Sequence, residues 1–87
     1  MSSHAQPSIE TLIPALISLF DQAGDNDPEI QKPAEAKLHD LERASGFFVS
    51  LAMIFTNPEC GLATRMAAVL KFKNGLPDML ARFVFVV

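Results

Sequence analysis

The sequence predicts an all-α fold of two antiparallel helical hairpins, and three observations indicate it. Apolar residues recur at helical spacing in four segments. Clusters of Gly, Pro, Asn and Asp separate these segments, as turns do. The two halves also match weakly at an offset of about 34 residues, which lies in the range of helical repeats. Stacked hairpins of this kind typically bind other proteins.

The first helix is predicted to end near Ala23. Its inward stripe contains Ile9, Leu12, Ile13, Leu16 and Phe20. The sequence allows two N-caps for this helix. A cap at Thr11 places Pro14 at the third helical position, whereas a cap at Ser8 places Pro14 further inside the helix, where it should produce a kink. Gly24 is predicted to close the helix in the left-handed conformation.

The second helix is predicted to begin at Asp27, because Asp27-Pro28-Glu29 combines an N-cap, a first-turn proline and an acidic first turn. Ser45-Gly46 marks its end. Its predicted inward stripe is Ile30, Ala34, Leu38 and Leu41.

The third helix, from Phe47 to about Thr56, is apolar almost all round, so more than one of its sides must be covered. The fourth is predicted from Leu62 to Asn74, with Gly75 as the C-cap and Pro77 preventing continuation. Its predicted inward residues are Leu62, Met66, Val69, Leu70 and Phe72.

The sequence divides into three parts. Residues 1–7 are predicted to be a disordered N-terminus, residues 8–76 to form the helical repeats, and residues 77–87 to be a divergent apolar tail. The tail ends in Phe83-Val84-Phe85-Val86-Val87, which is β-prone and uncharged. It is interpreted as a truncated or aberrant end, or alternatively as an apolar docking peptide for a partner or a membrane surface.

Composition excludes several classes of function. A net charge of −3 argues against general nucleic-acid binding, which requires a basic face. The longest uncharged window, residues 44–58, is shorter than the ~20 apolar residues of a membrane span, and the N-terminus lacks signal-peptide features. Cys60 is the only cysteine, so no disulfide can form within the chain.

Sites for chemistry are not expected either. Glu35 and His39 share a helix face at the spacing of metal ligands, but a third ligand is absent. The glycines are too scattered for a phosphate-binding loop. The sequence therefore predicts no catalytic residue, no cofactor and no metal, and the chain is not expected to be an enzyme.

Three motifs occur in a fixed order along the chain. The first is Asp27-Pro28-Glu29-Ile30 with Pro33-Ala34-Glu35 and Leu38, and the second is Ser45-Gly46-Phe47 with Leu51 and Ile54. The third is Arg65 and Ala68, followed by Leu70, Lys73 and Asn74. In this order the motifs resemble the first B helix, the entry to the next A helix and the Arg-x-x-Ala…Lys-Asn signature of the N-terminal domain of the importin-β (karyopherin) family.

The resemblance implies an α-α superhelix of HEAT-type (armadillo-like) repeats and a role in intracellular protein transport between nucleus and cytoplasm. It implies binding of a Ran-type small GTPase, with Arg65, Lys73 and Asn74 as the carried-over contacts. Family members are far longer, so a truncated form is expected, and nuclear pore proteins and cargo would be partners of a longer form. The alternative is a generic helical-repeat adaptor without a GTPase role, in which Arg65 pairs with an acidic residue and Asn74 caps a helix.

Overall fold

Four α-helices make up the chain in a computed structural model, which describes residues 8–86 apart from the side chains of residues 79 and 82–86. The helices are α1 (Ile9–Ala23), α2 (Pro28–Leu41), α3 (Phe47–Phe55) and α4 (Leu62–Val86). We call α1 and α2 hairpin 1, and α3 and α4 hairpin 2. The predicted all-α class with paired helices is confirmed, while the predicted disorder of residues 1–7 lies outside the described residues.

Side-chain caps fix the starts of α1 and α2. The Ser8 hydroxyl accepts a hydrogen bond from the backbone N–H of Thr11 at 3.2 Å, so α1 starts at the earlier of the two alternatives and Pro14 lies within it. The Asp27 carboxylate accepts from the backbone N–H of Glu29 at 3.0 Å, as predicted. Gly24 ends α1 with a φ of −87°, so the predicted left-handed cap is wrong.

Gly46 joins the two hairpins. Its φ of 86° is the only positive value found in the described part of the chain. A side chain there would be strained by that backbone conformation, and a Cβ would lie 3.1 Å from Cγ1 of Ile9. Glycine therefore allows both the turn into α3 and the approach of α1.

The core lies between α1, α3 and the second helix of each hairpin. Leu16 of α1 and Leu51 of α3 are completely buried, and Ala68 is the buried residue of α4. The other buried members of this core are Phe20, Leu38, Phe47 and Ile54. Ser50 is also fully buried on α3, and its hydroxyl has no hydrogen-bond partner among the described residues.

Helix α4 is longer than predicted, because it passes Gly75 and Pro77 and continues to Val86. Gly75 does not cap the helix; a Cβ there would lie 2.7 Å from Cζ of Phe48, so any other residue would require that ring to shift. Pro77 and Lys73 are both exposed, so the Lys73 carbonyl that loses its usual donor can be hydrated. The described residues of the β-prone end are helical.

The inward face of α4 also differs from the prediction. Leu62, Met66, Val69 and Leu70 are all large exposed side chains. Ala68, with no exposure, and half-buried Phe72 face the core in their place. In hairpin 1, Ala34 and Leu38 are buried as predicted, whereas Ile30 is exposed.

Candidate functional site

The exposed sides of α2 and α4 form one candidate partner surface, which we call the α2–α4 face. Ala34 and Leu38 turn one side of α2 toward the core, so the opposite side presents Lys32, Ala36 and His39 to solvent. On α4, buried Ala68 likewise leaves Leu70, Lys73 and Asn74 exposed. This face contains charged, amide and apolar groups, a mixture that is typical of partner surfaces.

An ion pair connects the two helices at this face. The Lys71 ammonium lies 3.1 Å from one carboxylate oxygen of Glu42, which directly follows α2. The other oxygen of Glu42 is 3.8 Å from Nδ1 of His39. Because the side chains of Lys71 and Glu42 are each about one-third exposed, the pair contributes little to stability.

Arg65 is turned toward the body of hairpin 2. Its Nε donates a hydrogen bond of 3.1 Å to the carbonyl of Phe55, the last residue of α3. A cation at the C-terminal end of a helix is also favoured by the helix dipole. The prediction that Arg65 pairs with an acidic residue is therefore wrong, since it binds a backbone carbonyl.

Lys73 and Asn74 are the exposed members of the predicted site. No carboxylate of the described residues lies within ion-pair distance of Lys73, so its ammonium is available to a partner. Asn74 lines a small groove of about 130 Å³ together with Lys71 and Gly75. The alternative role for Asn74, capping the end of α4, does not apply because α4 continues to Val86.

The three predicted residues therefore do not form one patch. Arg65 and Lys73 are eight residues apart, about 12 Å along the helix axis, and Arg65 is engaged by α3. Lys73 and Asn74 are adjacent and point about 100° apart around the helix. The exposed Leu70, one turn before Lys73 and Asn74, was not predicted as a contact because it was assigned to the core.

The described residues contain no group of three or more His, Cys, Asp or Glu side chains that could hold a metal ion. Within residues 8–86, no helix is long and apolar enough to cross a membrane.

Comparison with known proteins identifies the family. The protein-family model for the importin-beta N-terminal domain matches residues 34–78, from the buried part of α2 into α4. Importin-11 of mouse and importin-11 of human are each 38% identical to the chain over 61 residues. That match covers 70% of this chain but only 6% of either importin.

No solved structure matches the chain. The resemblance that the motifs indicated is confirmed by the family match, which includes Arg65, Lys73 and Asn74. The chain belongs to the importin-β N-terminal domain family of nuclear transport receptors.

Proposed function

We propose that this chain binds a Ran-type small GTPase and thereby takes part in nucleocytoplasmic protein transport. The proposal rests on membership of the importin-β N-terminal domain family, whose N-terminal repeats bind this GTPase. The proposed role is binding without catalysis, in a protein that shuttles between nucleus and cytoplasm. Cargo and nuclear pore proteins would be partners of longer forms, since the chain spans 6% of the length of the importins that it matches.

The observation that carries the proposal is the exposed ammonium of Lys73, which has no carboxylate partner among the described residues, beside the exposed Asn74. In this family the second helices of the repeats line the partner-facing surface, and α4 is the second helix of hairpin 2. Lys73 would meet carboxylates of the GTPase, and Asn74 would hydrogen-bond to its backbone. Leu70, one helical turn earlier, would add apolar contact.

Arg65 has an indirect role in this proposal. Its hydrogen bond to the Phe55 carbonyl holds α4 against the end of α3. That contact sets the position of Lys73 two turns further along α4. Arg65 is therefore assigned to positioning, and direct contact with the GTPase is assigned to Lys73 and Asn74.

The test is a binding titration of the 87-residue chain with the GTPase loaded either with a non-hydrolysable GTP analogue or with GDP. We expect tighter binding of the GTP-analogue form. Lys73→Glu should weaken that binding by about tenfold or more, because it places a like charge opposite acidic side chains. Lys37→Glu is the matched control: Lys37 is also an exposed lysine, but it lies on the other side of α2, and its loss should change affinity less than about twofold.

Two results would contradict the proposal. Equal affinity for the GTP-analogue and GDP forms would favour the generic helical-repeat adaptor. An equal loss of affinity in Lys73→Glu and Lys37→Glu would show that net charge alone governs the interaction. Circular dichroism of both variants checks that the helices are retained.

A further inference from the structure

Hairpin 2 presents an apolar surface on the side turned away from hairpin 1. Val49 and Met53 lie one turn apart on α3, opposite the buried residues that contact α1. Leu62, Met66 and Val69 lie on successive turns of α4. These five side chains, which we call the ridge, are between 43% and 70% exposed. Exposed apolar groups of this kind are often found at interaction sites.

Hairpin 1 presents a groove on the side turned away from hairpin 2. Its volume is about 620 Å³, and its surface is mainly apolar. Ala15 and Leu19 of α1 line one wall, and Pro33 and Leu41 of α2 line the other. On α1 the groove residues lie opposite Ile13 and Phe20, which pack against the core. Both ends of the repeat stack therefore expose apolar side chains.

Charge distinguishes the two ends. Residues 8–46 contain eight acidic and three basic side chains, whereas residues 47–87 contain two acidic and four basic side chains. Arg65 borders the ridge near Met66. Lys73 lies one helical turn after Val69, the last ridge residue of α4. Two ridges facing each other would bring these cations together, while a ridge against hairpin 1 places them opposite an acidic element.

We propose that this chain associates head to tail, with the ridge of one copy seated in the groove of a second copy. The contact would repeat the way hairpin 1 already stacks on hairpin 2 within one chain. It is a heterologous contact, so it can add further copies rather than stop at two. The ridge has five side chains, whereas a standard interface uses about 20–30 residues per partner, so association is expected only at high chain concentration.

Sedimentation equilibrium over a concentration series tests the proposal. The average mass should rise from the 9.5 kDa of one chain and pass that of two chains at the highest concentrations. Met66→Glu on the ridge and Ala15→Arg in the groove should each weaken association by about tenfold or more. Both residues are exposed, so their substitution should leave the helical circular dichroism unchanged.

Ala36→Arg is the matched control, because Ala36 is an exposed alanine of α2 outside both surfaces. It should associate like the unmodified chain. A mixture of Met66→Glu with Ala15→Arg should form a dimer and nothing larger, since one intact ridge and one intact groove remain.

Three outcomes would overturn the proposal. The first is a mass of one chain at every concentration. The second is undiminished association of Ala15→Arg, which would indicate a two-fold contact between ridges. The third is a mixture of the two variants that contains only monomers.

Discussion

The two hairpins bury their apolar side chains in different ways. In hairpin 1, α2 has a single apolar side, with Ala34 and Leu38 inward and charged residues opposite. In hairpin 2, α4 has apolar residues on two sides: Ala68 and half-buried Phe72 face the core, while Leu62, Met66 and Val69 are exposed. The difference shows that a helix with apolar residues on two sides leaves large apolar side chains available for other contacts.

The largest predicted change in stability comes from comparing the buried and the exposed side of α3. Leu51→Ala removes a fully buried side chain and should lower the free energy of unfolding by about 2–5 kcal/mol. Met53→Ala, two residues away and half-exposed, should change it by less than about 0.5 kcal/mol. Urea unfolding of dilute protein measures both. Equal losses would show that Met53 belongs to the core.

The two sides of α4 can be compared by adding volume. Ala68→Leu inserts a larger side chain at a position with no exposure and should destabilise the fold by about 1–3 kcal/mol. Val69→Leu enlarges the neighbouring exposed position and should be close to neutral. If Ala68→Leu left the melting temperature unchanged, the close packing of α4 against the core would be contradicted.

Gly75→Ala tests why α4 passes the predicted end. Alanine favours the helix by about 1 kcal/mol, but its Cβ would lie 2.7 Å from the Phe48 ring. That ring packs edge-on against Phe47 and Phe72, so it cannot move freely. We expect a net loss of about 1 kcal/mol from overpacking.

The same substitution in a Phe48→Leu background should instead stabilise the chain, because the clash is removed and the helix preference remains. Thermal unfolding of the four proteins of this cycle gives the coupling. If the stability changes at the two positions were additive, Gly75 would affect stability only through its low helix propensity and not through contact with Phe48.

The smallest effect should come from the ion pair between the hairpins. Lys71→Gln should cost about 0.3–1 kcal/mol at low salt, because both partners are one-third exposed. The loss should shrink at ~1 M salt, where charges are screened within a few ångströms. Lys73→Gln is the control and should have no measurable effect on unfolding. If Lys71→Gln lowered the free energy of unfolding equally at low and high salt, the loss would come from packing of the aliphatic part of Lys71 and not from the ion pair.

The helix count, the cap at Asp27 and most of the core of hairpin 1 could be predicted from the sequence, because each depends on local spacing. The inward side of α4 could not. A helix with apolar residues on two sides has no single stripe, and only the distance to α3 selects Ala68. The local sequence predicts that Gly75 ends α4 as a cap. In the structure Gly75 instead leaves room for the ring of Phe48, which lies 27 residues earlier in the chain.

The candidate site was predictable to a similar extent. Exposure of Lys73 and Asn74 follows from polar residues on a helix surface. The bond from Arg65 to the Phe55 carbonyl could not be foreseen, since it depends on how α3 ends beside α4. The ion pair of Glu42 with Lys71 joins residues that are distant in sequence, and no local pattern predicts it.

Gly46 has a consequence for cooperativity. Its left-handed backbone directs the chain into α3, and its missing side chain admits Ile9 from the start of α1. A substitution here would therefore weaken the contact between the hairpins at this junction. Because one core cluster includes residues of both hairpins, that loss would lower the stability of the two repeats together.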